Sequence, residues 1–278
     1  NVTGVQTCAL PIFALAVTAL ITVVGQSAVA APTAQVDAAV HRAGAGVRLT
    51  ASTSEAVEGD VLSLRATVKK PKQARRITLQ RWEVPLYFGN PSWKDVRTVK
   101  VRKRTTTLHD VATSLNTARY RVVVTRKQGK PLKSVPVNVA VWRWIPLRNI
   151  SSYSSTSGAV FSEANVNGSR YKTWGAAWYS SAEFWAAGFT PGRNCKAFAG
   201  VLGVDDQSDD GSSGTIAITA DDVSIYASPA LTPGMSMKIQ VPLALPYRFG
   251  LRATDTSPDG VEAFPVIGDP TLLCTGIG

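Results

Sequence analysis

GVLGVDDQSDDGSSGTIAITA, Gly200–Ala220, is the stretch whose reading decides the fold. Its glycines stand where a dinucleotide-binding turn could begin. Such a turn must open a helix whose N-terminus takes up the phosphates. No helical period follows. GTIAITA, from Gly214, instead alternates with a period of two, the mark of a strand with one buried face. VSIYAS from Val223, MKIQVPL from Met237 and YRFGLRAT from Tyr247 repeat the pattern, and Tyr247, Phe249 and Leu251 should share one face. The intervening ASPALTPGM and TDTSPDG are turn-rich. Strands in series with no helices between them imply sheet packed on sheet, so this half is expected to be a β-sandwich.

Upstream, six alternating runs fill roughly 100 residues: VRLTAS from Val47, VLSLRATV from Val61, RITLQRW from Arg76, VRTVKV from Val96, YRVVVT from Tyr120 and VNVAVW from Val137. This is the density of an immunoglobulin-like sandwich, with Tyr120 placed for a tyrosine corner. GDVLSLRATV (Gly59–Val68), RITLQRW (Arg76–Trp82), WKDV (Trp93–Val96) and YRVVV (Tyr120–Val124) also resemble, in order, the Ig-like modules of secreted actinobacterial proteins. That resemblance implies a spacer or presentation module.

Charge divides the chain at the same place. Residues 31–145 hold 22 Lys and Arg against 7 Asp and Glu, whereas 146–278 hold 8 against 12. Two domains with different surfaces are expected. KKPKQARR (Lys69–Arg76) and KVRKR (Lys100–Arg104) carry much of the basic excess. Such runs suit an anionic cell-wall polymer, but a charge run by itself reads first as a solvated basic face. Nucleic acid is not expected for an exported protein.

Export is read from the N-terminus. VTGVQTCALPI, Val2–Ile12, resembles translated sequencing adapter, so residues 1–12 and Cys8 are set aside. The apolar run Phe13–Gly25 then leads to the small-residue site Ala28-Val29-Ala30, so 13–30 reads as a truncated signal peptide and 31–45 as a linker. The run is shorter than the ~20 residues of a membrane span, so none is expected in the mature chain. Cys195 and Cys274 remain, and two thiols in an exported protein are best read as one disulfide. His41 and His109 lie far from both cysteines, which argues against a zinc site or a Cys–His nucleophile.

The order PLRNISS (Pro146–Ser152), VNGSRYKTWGAAW (Val166–Trp178), NCKAFAGVLGVDDQSDDG (Asn194–Gly211), IAITADDVSIYAS (Ile216–Ser228) and GDPTLLC (Gly268–Cys274) resembles the NPCBM family of carbohydrate-binding modules. The resemblance implies a galactose-binding-like jelly roll, appended to exported proteins and directed at glycans. Members often carry a His-bearing segment where this chain reads TWGAAWYSS. Sugar sites stack a pyranose on an aromatic ring and hydrogen-bond its hydroxyls. Trp174, Trp178 and Tyr179 are the candidate rings, with Arg170 and Glu183 as polar partners, although alternation sends some of these rings to the core. Asp205, Asp206, Asp209 and Asp210 either ligate calcium, the one cofactor considered, or cap turns.

The whole reads as an all-β, non-catalytic, secreted protein: an Ig-like sandwich over 46–142 and an NPCBM-like, glycan-binding jelly roll over 146–278. The alternative is a structural or adhesive surface protein that binds wall polymer or protein. Neither half places two carboxylates or a Ser-His-Asp set in an evident cleft.

Overall fold

The alternating runs become strands, and their apolar phase selects the buried face. The computed structural model describes residues 46–85, 89–113, 116–156, 159–175 and 183–276. Residues 1–45, with the adapter, signal and linker expectations, lie outside the described residues. Nine strands form the N-terminal sandwich: β1 (Val47–Ala51), β2 (Glu55–Val57), β3 (Val61–Val68), β4 (Ala74–Glu83), β5 (Ser92–Lys100), β6 (Thr105–Val111), β7 (Thr117–Arg126), β8 (Leu132–Lys133) and β9 (Val137–Pro146). One sheet runs β1-β3-β6, and the other runs β9-β7-β4-β5 with β8 on β7 and β2 parallel to β9. In VLSLRATV, Leu62, Leu64, Ala66 and Val68 point inward, where they meet Ile77, Leu79, Val122, Val124 and Val139 of the opposing sheet. Tyr120 is buried, but its hydroxyl donates to the Asp110 carboxylate at 2.9 Å rather than to upstream backbone. Arg81 pairs with the same oxygen at 2.9 Å. Burial, then the Asp110 charge, pushes the Tyr120 phenol far above its ordinary pKa.

Ten strands follow: β10 (Ser152–Ser155), β11 (Val160–Val166), β12 (Ser169–Gly175), β13 (Phe184–Phe189), β14 (Cys195–Val204), β15 (Gly214–Ala220), β16 (Val223–Ala227), β17 (Ser236–Pro242), β18 (Phe249–Asp255) and β19 (Pro265–Cys274). A five-stranded sheet, β10-β13-β18-β15-β16, faces a sheet built around β19. Trp185, Phe189, Phe198, Leu202, Ile216, Phe249, Leu251 and Ile267 fill the space between them. Phe249 and Leu251 point inward as expected. Tyr247 does not join them: it precedes β18 and is exposed, because the Asp221 carboxylate takes up the backbone N–H groups of Tyr247 and Arg248, both at 2.9 Å.

The GDP motif gives β19 two partners on one edge. Its first half pairs with β12 from Gly268 to Val266, and its second half pairs with β9 from Thr271 to Cys274. Between them Asp269 takes a left-handed φ of 45°, and Pro270 has no N–H to offer a ladder. β14 lines the opposite edge, and Cys195 lies directly across from Cys274, with the two Sγ atoms bonded.

β9 is therefore a strand of both sandwiches. Val137–Tyr120 and Ala140–Thr117 pairs hold its start to β7, while Arg143–Pro146 pairs with β19. Trp142 packs there with Val57, Ala197 and Leu273. Lys196 sits 4.1 Å above the Trp142 ring and donates to Glu55 at 2.6 Å, and Arg143 pairs with Glu58. All described residues belong to one unit, His41–Gly278. Among them, no helix is long and apolar enough to cross a membrane.

Candidate functional site

The outward face of the five-stranded sheet carries mostly small side chains, as its register shows. One row across it reads Ser154, Gly188, Gly250, Thr219, Ser224. The next reads Ala186, Arg252, Ala217, Ala227, and a third reads Phe184, Thr254, Thr215. Small residues and hydroxyls make a floor, and aromatic rings stand at one side of it.

Two of those rings are exposed, Tyr153 at 51 % and Phe184 at 37 %. Phe184 begins β13, where alternation sends Trp185 inward to donate its indole N–H to Pro265 O at 2.7 Å. The Arg252 guanidinium lies 3.9 Å from the Phe184 centroid. Tyr153 enters at a bulge in β10 and rests on Gly188: a Cβ there would lie 2.6 Å from the ring's Cζ. Arg248 sits over the Tyr153 ring at 5.3 Å. Each ring is thus paired with a guanidinium, an attraction worth about 0.5–1 kcal/mol at exposed sites that also fixes the geometry. The face can present apolar ring, cation and hydroxyl donors side by side.

The residues singled out from sequence are dispersed. Trp174 is a core residue, 8 % exposed, with its ring 5.2 Å from Phe189 and 6.3 Å from Phe161. Its place on β12 turns it inward, so it offers no stacking surface. Arg170 lies at the β11–β12 hairpin end, ion-paired with Glu163, which also holds Lys172. Glu183 is exposed beside Phe184, and its carbonyl accepts the Asp255 N–H at 2.8 Å. Trp178 and Tyr179 lie outside the described residues. Tyr153 and Phe184 are not among them; the signal for Phe184 in the sequence is its outward phase against Trp185.

The acidic loop spends carboxylates on backbone. Asp206 accepts from the N–H groups of Asn167 and Gly168, both at 2.8 Å, and caps the β11–β12 turn, where Asn167 has φ 49°. Asp209 accepts from Glu262 N–H at 2.9 Å, and Asp205 from Gln207 N–H at 3.2 Å. Burial raises the Asp205 pKa against that last bond, which lowers it. Asp210 makes no side-chain bond of this kind among the described residues. Nor do three or more His, Cys, Asp or Glu side chains among them converge as a metal set.

The chain is all-β, built of sheet packed on sheet. Residues 165–263 match the model of the NPCBM/NEW2 domain, so this part of the chain carries that domain. No curated protein matches the chain. Among solved structures, it is similar to CBM51 from Clostridium perfringens GH95 in complex with methyl-galactose, at 17 % identity and TM-score 0.38, over 46 % of this chain and 99 % of that one. It is also similar to CBM51-2, in complex with GlcNAc, and the INT domains of Clostridium perfringens ZmpB, at 12 % identity and TM-score 0.36. That match covers 57 % of this chain and only 37 % of the other.

Proposed function

We propose that the C-terminal sandwich binds carbohydrate, and that the sugar lies on the outer face of the five-stranded sheet across Tyr153 and Phe184. The observation that carries this reading is the pair of exposed rings held in place by Gly188 and by two guanidinium groups, on a domain matching a carbohydrate-binding family. A pyranose presents an apolar C–H face to a ring and hydroxyls at its rim. Arg248, Arg252, Ser154 and Thr219 supply donors and acceptors at that rim. The three rows hold small residues, hydroxyls and a guanidinium, a set suited to holding a sugar. Export, with the protein acting outside the cell, is part of the same proposal.

The test is a glycan array and an insoluble-polysaccharide pull-down with the full chain, repeated with Tyr153→Ala and Phe184→Ala. Retention of a defined glycan that falls roughly three- to tenfold in both variants supports the reading, a loss of about 0.7–1.4 kcal/mol per ring. Binding that both variants retain moves the site elsewhere. No glycan bound by folded protein removes the carbohydrate reading.

A further inference from the structure

KKPKQARR and KVRKR are far apart in sequence, yet they meet at one end of the N-terminal sandwich. The β3–β4 connection, the β5–β6 connection and the turn after β7 close there. Val101 N–H donates to Arg75 O at 3.3 Å, Lys127 N–H to Gln73 O at 2.9 Å, and Val68 N–H to Arg104 O at 2.8 Å. Between these segments opens a cleft of about 650 Å³ that brings together Lys72, Arg75, Arg76, Lys100, Arg102 and Lys127. No acid lines it. None of the six cations is ion-paired to a carboxylate among the described residues.

The module's acids are elsewhere. Glu55 and Glu58 lie at the junction with the C-terminal sandwich, where they engage Lys196 and Arg143. Glu83 ends β4 at the edge remote from the cleft, and Asp110 is taken up by Arg81 and Tyr120. Asp95 accepts from Gln80 at 2.7 Å. A merely solvated face intersperses both signs, as the junction end does. Six exposed cations gathered round one concavity repel each other and focus a positive field into it.

We propose that this cleft is a second binding site, for a linear phosphate-bearing polymer. Lys is a point charge and Arg a planar fork, and the tetrahedral oxygens of phosphate can meet both from several directions at once. A carboxylate confines its acceptor sites to one plane. The remaining lining residues, Pro71, Ala74 and Val101, bring no aromatic ring on which a nucleobase could stack. The site thus reads charge spacing along a backbone and not bases. It stands independently of the glycan face.

The test measures binding of long-chain inorganic polyphosphate to the full chain across a salt series. Six phosphate contacts on a flexible strand give a log–log salt slope of roughly −4. Lys72→Gln/Arg75→Gln/Arg102→Gln is expected to lose at least tenfold in affinity, with a slope shallower by about 2. Lys94→Gln/Arg97→Gln/Lys133→Gln removes the same charge from exposed positions outside the cleft and is expected to stay within about twofold of the parent. Tyr153→Ala is expected to bind polyphosphate normally. The proposal is overturned by no binding near 0.1 M salt, by equal losses in the two triple variants, or by tighter binding of single-stranded DNA or polygalacturonate.

Discussion

The ring of Tyr153 can lie against its sheet because Gly188 has no Cβ. Gly188→Ala would set a methyl 2.6 Å from the ring's Cζ, so the ring must lift. Gly188 has an ordinary backbone φ, so the change acts through what the methyl meets, the Tyr153 ring and the Ser154 Oγ at 2.7 Å. Gly188→Ala is expected to weaken glycan retention as much as Tyr153→Ala, and the double variant no more than either, since both remove one platform. Additive losses in a pull-down would show that the two residues act separately. Asp205 offers a test by pH. Burial favours its neutral carboxyl, so the folded state holds this proton more firmly than the unfolded chain does. As pH rises from the unfolded value of 3.8 through the raised folded one, stability is lost, and it stays lost at neutrality. Asp205→Asn keeps an oxygen for the Gln207 N–H. Urea midpoints should therefore favour the variant more at pH 7 than at pH 3, and the opposite ordering would refute this account.

Among elements, β19 organises the C-terminal sandwich by pairing with three strands. Gly268 makes the crossing possible, since a Cβ there would lie 2.7 Å from Tyr171 Cγ. Gly268→Ala is expected to cost about 1–3 kcal/mol in denaturant titration, the usual penalty of overpacking. The Cys195–Cys274 bond spans 79 residues and holds β14 to β19, and a loop of that length gives about 4–5 kcal/mol in the chain-entropy model. Replacing both cysteines by Ala should lower unfolding free energy by that order, and a loss under about 1 kcal/mol would contradict it. Which elements the sequence revealed follows from how they are buried. VLSLRATV, RITLQRW and GTIAITA bury one face and alternate plainly. CKAFAGVLGV pairs on both edges and is buried almost throughout, with Gly200 and Gly203 admitting Ile267 and Val166, so its alternation is erased. TTTLHDV, in β6, is recognisable only through its pairing with β3. The candidate face was hardly legible. Tyr153 gains its support from a residue 35 positions away, and Trp174 looked like a binding ring until register turned it inward. The basic runs were plain in the sequence, but their meeting in one cleft is a product of three connections folding to the same end.

At the scale of the molecule, the shared strand β9 makes the two sandwiches one mechanical object. The basic cleft lies at the end of β7 where Arg126 sits, whereas β9 reaches β19 beyond the opposite end, at Thr117. A glycan face and a polyanion cleft held on one frame would engage a composite surface at a high effective concentration, if the junction stays closed. Trp142 is the residue on which closure turns. It is buried against Val57, Ala197 and Leu273 and is capped by Lys196, which in turn is held by Glu55. The hydrogen bond from Lys196 is the largest influence on the Glu55 carboxyl and lowers its pKa below 4.5. Its contribution is therefore present above the unfolded value and is lost as pH falls through the folded one. Both partners are substantially exposed, so the ion pair is worth at most about 1 kcal/mol, and the apolar contact dominates. Calorimetry on the parent chain should show a single transition at neutral pH. Trp142→Ala, which removes a side chain of the kind that costs about 3–5 kcal/mol in a core, should split it into two, one for each sandwich. Glu55→Gln should leave one transition, slightly lowered at pH 7, and the difference from the parent should shrink as pH falls from 4.5 through the lowered folded value. A Trp142→Ala variant that still unfolds in one step would mean that the β9–β19 ladder alone couples the halves and that the Trp142 cluster merely fills space.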